Sequence, residues 1–168
     1  MSNFINLNLS SFFNHKLIGE DNLLKNVIPL SNSGIGGFFF NPCSLPDSLE
    51  IISIDGIAYI FPDKSPDKYD NITCEEQKII VLSGKYSTAY ILGLCEWGDF
   101  SEKIKLQFDD NTSEEIEVFF LDWWKAKWSW KYDINKDCEV ALKASISNSS
   151  IHYIYYNKCN IFNSDKFL

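Results

Sequence analysis

The 168-residue chain contains no arginine, so its 15 basic residues are all lysines. It therefore lacks the guanidinium fork that grips phosphates and carboxylates through two parallel hydrogen bonds. With 23 acidic residues, the net charge is −8 and the pI is about 4.7. A negative chain without a cluster of basic residues repels the phosphates of DNA and RNA. The composition therefore disfavours an anionic substrate and predicts no nucleic-acid partner.

Long apolar runs are also missing, and no stretch approaches the roughly 20 residues of a membrane span. Residues 1–9 show no basic segment followed by an apolar core, so a signal peptide is not expected. The five cysteines are widely spaced without a C-x-x-C pair, which argues against a zinc site. Reduced thiols explain an odd number of cysteines most simply. We therefore expect a cytoplasmic protein with no membrane partner.

Signatures of catalysis are absent as well, since the sequence has no G-x-S-x-G, H-E-x-x-H or P-loop motif. Glu96 and Asp99 could serve as the two carboxylates of glycoside hydrolysis. In so acidic a chain, however, solvated surface carboxylates are the simpler interpretation. His152 lies among tyrosines in an apolar stretch, which favours a packed histidine over a catalytic base. We predict that the protein is not an enzyme.

What the chain does contain is β-forming and aromatic residues, with 45% of it hydrophobic and 15% aromatic. Its length fits a single domain over residues 1–168, long enough to bury roughly two-thirds of the surface of the unfolded chain. Roughly ten short β-forming stretches alternate with turn signals about every 8 to 12 residues. This spacing predicts an all-β jelly-roll β-sandwich, with at most one short helix at 20–28.

Two hairpins are the clearest elements of the sequence. Asp55-Gly56 separates strands at 49–54 and 57–61, and both turn residues tolerate the positive φ of a tight hairpin turn. Charged and apolar residues alternate on both sides of a polar turn at 109–112, which predicts two half-buried strands. The remaining predicted strands are 4–9, 78–82, 86–95 as a buried central strand, 139–146 and 151–156.

Aromatic residues concentrate after the second hairpin. From Trp124 to Tyr132 the aromatic residues and Ala126 alternate with lysines and a serine, and a strand would place the aromatics on one face. That face is either part of the core or a platform for a flat ligand, while Trp123 on the opposite face is expected in the core. Sugar rings stack on such platforms, and polar groups around the rim fix their orientation. The candidate ligand-binding residues are Trp97, Asp99, Trp124, Trp128 and Trp130.

A polar loop with two prolines is predicted at 62–71, and we expect it to be exposed. Its oxygen-bearing side chains could hold a structural Ca²⁺ ion, although their spacing does not match an EF-hand. Solvated turn residues are the simpler interpretation, so no cofactor is required. The oxygen-bearing residues concerned are Asp63, Asp67, Asp70 and Asn71.

Several short motifs occur together in an order that resembles a known family. They are Gly36-Gly37-Phe38, Asp55-Gly56 through Pro62, Tyr69 to Asn71, Glu76 to Ile79, Tyr90 to Gly93, and Asp122-Trp123. Over residues 4–124 the chain is similar to galactose-binding-like jelly-roll modules that accompany bacterial glycoside hydrolases. The resemblance implies a non-catalytic module that binds a glycan, in which Gln77 and Asp122 satisfy backbone groups.

An interaction module is the alternative function. In that case the aromatic run lies in the core, and the protein recognises another protein or oligomerises. A sheet edge left open would then pair with a second copy of the chain, because unpaired edge strands template further strands.

Overall fold

The structure, a computed structural model, describes residues 4–20, 33–35, 37–124, 138–146 and 150–168. Its helical pieces in these ranges are single 3-10 turns at Ser10–Phe12 and Pro42–Ser44. The strands of the described residues are β1 (Ile51–Ile54), β2 (Ile57–Ile60), β3 (Thr88–Gly93), β4 (Phe100–Gln107), β5 (Ser113–Phe120), β6 (Cys138–Ser145) and β7 (Ile151–Asn160). They form sheets in the orders β1-β2, β3-β7-β6 and β4-β5. The predicted all-β fold class is confirmed.

Both predicted hairpins are present. The turn between β1 and β2 holds Asp55 at φ 50° and Gly56 at φ 74°, as its sequence indicates. β4 and β5 pair antiparallel over their whole lengths, from Phe100 opposite Phe120 to Gln107 opposite Ser113. β5 buries one face and is half-buried as predicted, whereas β4 is exposed along almost its entire length.

The chain divides into two compact units. The first unit comprises Met1–Lys78 with Ala144–Ile151, and the second comprises Ile79–Lys143 with His152–Leu168. The hairpin of β1 and β2 belongs to the first unit, and β3, β4 and β5 belong to the second.

Isolated β-bridges organise much of the first unit. Ile18 pairs with Phe40, and Phe40 also pairs with Ile146, so that three separate segments meet at one buried aromatic residue. Asn41 ends this arrangement by accepting the Cys43 N–H on its side chain, which begins the second 3-10 turn. The buried apolar residues of the unit are Leu17, Ile18, Ile35, Phe39, Phe40, Leu45, Ile54, Ile57, Phe61, Ala144 and Ile146.

A buried ion pair joins two distant parts of the first unit. Lys16 Nζ lies 3.0 Å from Asp70 Oδ2, and both side chains are fully shielded from solvent. The Asp70 carboxylate also accepts the backbone N–H groups of Leu17 at 2.8 Å and Ile18 at 3.0 Å. Burial raises the pKa of Asp70, and the lysine charge and these donors oppose that rise. The prediction of an exposed loop at 62–71 is therefore wrong at Asp70, whose carboxylate fixes the chain at 16–18.

β7 is the central strand of the three-stranded sheet. β3 pairs with it antiparallel from Thr88 opposite Asn160 to Gly93 opposite Tyr155. At Gly93 a Cβ atom would lie 2.7 Å from the Phe120 ring, so a larger residue would force that ring to shift. The prediction that 86–95 forms a buried central strand is wrong, since β3 is half-buried and lies at one end of the described sheet. β7 takes the centre because its longer run of buried side chains packs in the core.

Two other predicted strands, 4–9 and 78–82, belong to none of the described strands. Their side chains favour a β-strand, but a strand forms only where a neighbouring strand pairs with it. The predicted helix at 20–28 lies, apart from Glu20, outside the described residues, and so do residues 147–149 of the turn before β7. No helix in the described part of the chain is long and apolar enough to cross a membrane.

Candidate functional site

Two segments of the second unit come together beyond the ends of β3 and β5. Cys95 forms a parallel bridge with Asp122. Its N–H donates to the Leu121 carbonyl at 3.2 Å, and its own carbonyl accepts the Trp123 N–H at 3.0 Å. We call residues 95–99 and 121–124 the tryptophan loops, because they carry Trp97, Trp123 and Trp124. Hydrogen bonding therefore places three tryptophans on adjoining backbone segments.

The first of these loops turns sharply and presents an indole to solvent. Trp97 has φ 64°, in the left-handed region that non-glycine residues seldom adopt, and Gly98 follows at φ 146°. Asp99 stabilises the turn, since its Oδ1 accepts the Asp122 N–H at 2.8 Å. The Trp97 side chain is 84% exposed. The loop is thus held in place while its largest apolar group remains accessible.

The second loop presents an indole that is anchored at one side. The Trp124 ring meets the His152 ring edge-on, with centroids 4.2 Å apart and planes at 81°. It also meets the Trp123 ring at 5.8 Å. Trp124 is nevertheless 52% exposed, whereas Trp123 is 1% exposed and occupies the core, as predicted. Asp122 supports the turn by accepting the Trp124 N–H at 3.0 Å.

His152 is buried and packs against the rings of Trp123 and Trp124. Its ring lies 4.5 Å from the Trp123 ring, and the residue is fully buried. Burial lowers the pKa of His152, while a hydrogen bond with the Trp123 backbone and the charge of Asp122 oppose the fall. The imidazole is therefore mainly neutral at pH 7. This is the packed histidine that the sequence predicted.

The structure brings together the candidate ligand-binding residues that it describes. Trp97, Asp99 and Trp124 all lie in the tryptophan loops, whereas Trp128 and Trp130 lie outside the described residues. The Asp99 carboxylate supports the loop through Oδ1, yet a carboxylate offers about four acceptor sites in all. One exposed aromatic, Phe100, was missed although it directly follows Asp99 in the chain.

Two of the residues considered for calcium, Asp63 and Asp70, are engaged in other interactions. Asp70 is paired with Lys16. Asp63 accepts hydrogen bonds from Lys68 and Ser65, each at 2.6 Å, and these donors lower its pKa. Across the described ranges, no group of three or more His, Cys, Asp or Glu residues is arranged to hold a metal ion.

All five cysteines lie in described ranges, and none forms a disulfide. This agrees with the reduced thiols expected from the sequence. Cys138 and Cys159 are buried, Cys95 is half-buried, and Cys43 and Cys74 are exposed.

The antiparallel pairing and the scarcity of helix among the described residues define an all-β protein of the β-sandwich class. The chain belongs to the AziU2-like β-sandwich domain family, whose family model matches residues 6–165. The match includes every described strand and residues of both units. A comparison with curated proteins gave no significant match. The family supports the β-sandwich part of the resemblance seen in the sequence, and the galactose-binding-like part stays a prediction.

Proposed function

We propose that the protein is a non-catalytic module that binds a glycan at the tryptophan loops. The observation that carries this proposal is a pair of exposed indoles, Trp97 and Trp124, on backbone segments that hydrogen bonds hold side by side. Indole faces stack on the C–H faces of sugar rings, and nearby polar groups select orientation. Asp99 supplies such a group, because its carboxylate lies on the first tryptophan loop and joins the second by accepting the Asp122 N–H.

Preorganisation of the loops supports binding. The Cys95 bridge and the hydrogen bond from Asp122 to Asp99 fix the backbone before any ligand arrives. A site that is already ordered spends less conformational entropy when it binds. The edge contact with His152 restrains Trp124 in the same way. A sugar therefore meets a fixed loop backbone and one restrained indole, that of Trp124.

The charge of the protein narrows the ligand class to neutral sugars. The net charge is −8, and Glu96 and Asp99 place carboxyl groups on the same loop as Trp97. An acidic sugar would be repelled there, and the chain offers no arginine to pair with its carboxylate. Neutral oligosaccharides, with hydroxyl groups that donate to carboxylates, fit this environment.

A protein-interaction module is the second candidate, and β4 favours it. Phe100 is 51% exposed, Ile104 is also exposed, and only Leu106 among the β4 residues is half-buried. Within the described residues β4 pairs with β5 alone. A partner protein could add a strand to this edge and cover the apolar side chains. The cytoplasmic location predicted from the sequence, which stays a prediction, suits such a partner better than a polysaccharide.

Tryptophan fluorescence tests the glycan proposal. Iodide should quench the wild-type protein, and one member of a panel of neutral gluco-, galacto-, manno- and xylo-oligosaccharides should remove that quenching. Trp97→Ala and Trp124→Ala should each weaken the sugar response about tenfold, which corresponds to about 1.4 kcal/mol. Phe162→Ala is the matched control, because Phe162 is an exposed aromatic outside the tryptophan loops. Quenching that no oligosaccharide alters would overturn the proposal.

A further inference from the structure

The segment 79–82 is apolar and lies outside every described sheet. Ile80 is 86% exposed and Leu82 is 69% exposed. From Ile79 to Val81, no backbone group forms a hydrogen bond to a described residue. At Leu82, the carbonyl accepts the Tyr86 hydroxyl at 2.6 Å. These residues therefore have the composition of a β-strand, but their backbone is not paired in any described sheet.

Such a segment is suited to pair with another strand. Two isoleucines and a valine prefer the pleated, half-buried surface of a sheet. A row of backbone N–H and C=O groups without a ladder is a template for an added strand. Because side chains alternate in a strand, Ile79 and Val81 would lie on one face and Ile80 and Leu82 on the other. Both faces would therefore be apolar.

The charges that flank the segment indicate which strand it accepts. Glu75 and Lys78 precede the segment, and Lys85 follows it. A parallel pairing of two copies would set Lys78 beside Lys78, which is unfavourable. An antiparallel pairing places Lys78 of one copy opposite Leu82 of the other. It also brings the end that carries Glu75 in one copy toward the end that carries Lys85 in the other. The sequence is thus complementary to itself in the antiparallel sense.

We propose that the 79–82 segment pairs antiparallel with the 79–82 segment of a second copy of the chain. The two-fold axis passes at Ile80, so Ile80 faces Ile80 and Ile79 faces Val81 across the pair. This contact is isologous and closes as a dimer, because each copy uses the same surface. It does not involve the tryptophan loops, so it stands or falls independently of glycan binding.

Light scattering on the full-length protein, across concentrations from about 1 to 200 μM, tests the dimer. The wild-type chain should change from monomer to dimer. Ile80→Lys places like charges opposite each other at the axis, so it should raise the dissociation constant at least tenfold. Phe162→Lys is the control, since Phe162 is also 86% exposed but lies outside the segment, and it should dimerise like wild type. Circular dichroism confirms that each variant is folded.

A cysteine substitution tests the register separately. Ile80→Cys should form a disulfide between copies on mild oxidation, because directly opposed Cβ atoms lie about 4.5 to 5.5 Å apart. Leu82→Cys should crosslink far less, since Lys78 faces it in this register. A wild-type chain that stays monomeric throughout the concentration range would overturn the proposal. So would a dimer that Ile80→Lys leaves unchanged, or equal crosslinking of the two cysteine variants.

Discussion

The Asp99 side chain accepts the backbone N–H of Asp122 over 2.8 Å and thereby joins the two tryptophan loops. Asp99→Ala should lower the free energy of unfolding by about 1.5 to 3 kcal/mol, because the Asp122 N–H loses a charged acceptor. Asp99→Asn retains a carbonyl oxygen at this position and should lose less. Urea denaturation measures both variants. Equal losses in the two would mean that the hydrogen bond does not support the loops.

The buried pair of Lys16 and Asp70 should be far more sensitive to substitution than a surface pair. Lys16→Met leaves the Asp70 carboxylate buried without its cation, and breaking such a pair lowers the free energy of unfolding by about 3 to 5 kcal/mol. The control is Lys103→Met, which removes an exposed pair with Glu115 and should have little effect on stability. Thermal or urea unfolding that ranks the two variants equally would contradict this description.

The C-terminal tail should detach from β5 in acid. Glu114 accepts N–H groups from Phe162 at 2.7 Å and Asn163 at 2.9 Å, together with the Asn163 side-chain amide. Desolvation acts to raise the pKa of Glu114, but these donors outweigh it and lower the pKa below its ordinary 4.5. Because the folded state holds the charged form, this stabilisation is present above pH 4.5 and is lost as the pH falls through the lowered pKa.

Hydrogen exchange measures this effect at the Phe162 and Asn163 amides. Their protection factors should fall below pH 4.5 in the wild-type protein. Glu114→Gln should show weaker protection without the acid step, while Glu115→Gln should behave as wild type at these amides. Protection that is insensitive to pH in the wild-type chain would be inconsistent with a charged anchor.

The cysteines should differ widely in reactivity toward iodoacetamide. Burial raises the pKa of Cys95 to about 11, although a backbone hydrogen bond with Phe100 opposes the rise. Only about one thiol in a thousand is then ionised at pH 8, and the thiolate is the reactive form. Cys43 and Cys74 are exposed and should be alkylated before Cys95, as mass spectrometry of the digested protein can report. Alkylation of Cys95 at the rate of Cys43 would contradict its burial.

Local signals in the sequence predicted the fold where a few adjacent residues determine it. Asp55-Gly56 specifies its hairpin because both residues adopt positive φ, and neither needs a distant partner. The segment 78–82 shows the opposite case. Its residues favour a strand, but a strand also requires a neighbour, and the described chain supplies none. Local propensity contains no information about that neighbour.

The candidate site was predictable only where nearby residues in the sequence determine it. Trp97 was among the predicted candidates, and it lies exposed on a loop beyond the end of β3. The sequence could not show that Trp124 would lie on the adjoining loop, since the Cys95 bridge to Asp122 joins residues distant in the chain. The buried pair of Lys16 and Asp70 was missed on the same grounds. Charged residues separated so widely give no sequence signal of their contact.

The glycan proposal is tested most directly by the indole N–H signals of the five tryptophans, assigned by single Trp→Phe substitutions. Titration with the neutral oligosaccharide that gives the strongest fluorescence response should shift the Trp97 and Trp124 signals along one binding curve. The proposal holds if the two signals give the same dissociation constant for the oligosaccharide. Static Trp97 and Trp124 signals at millimolar concentrations of every oligosaccharide would contradict it.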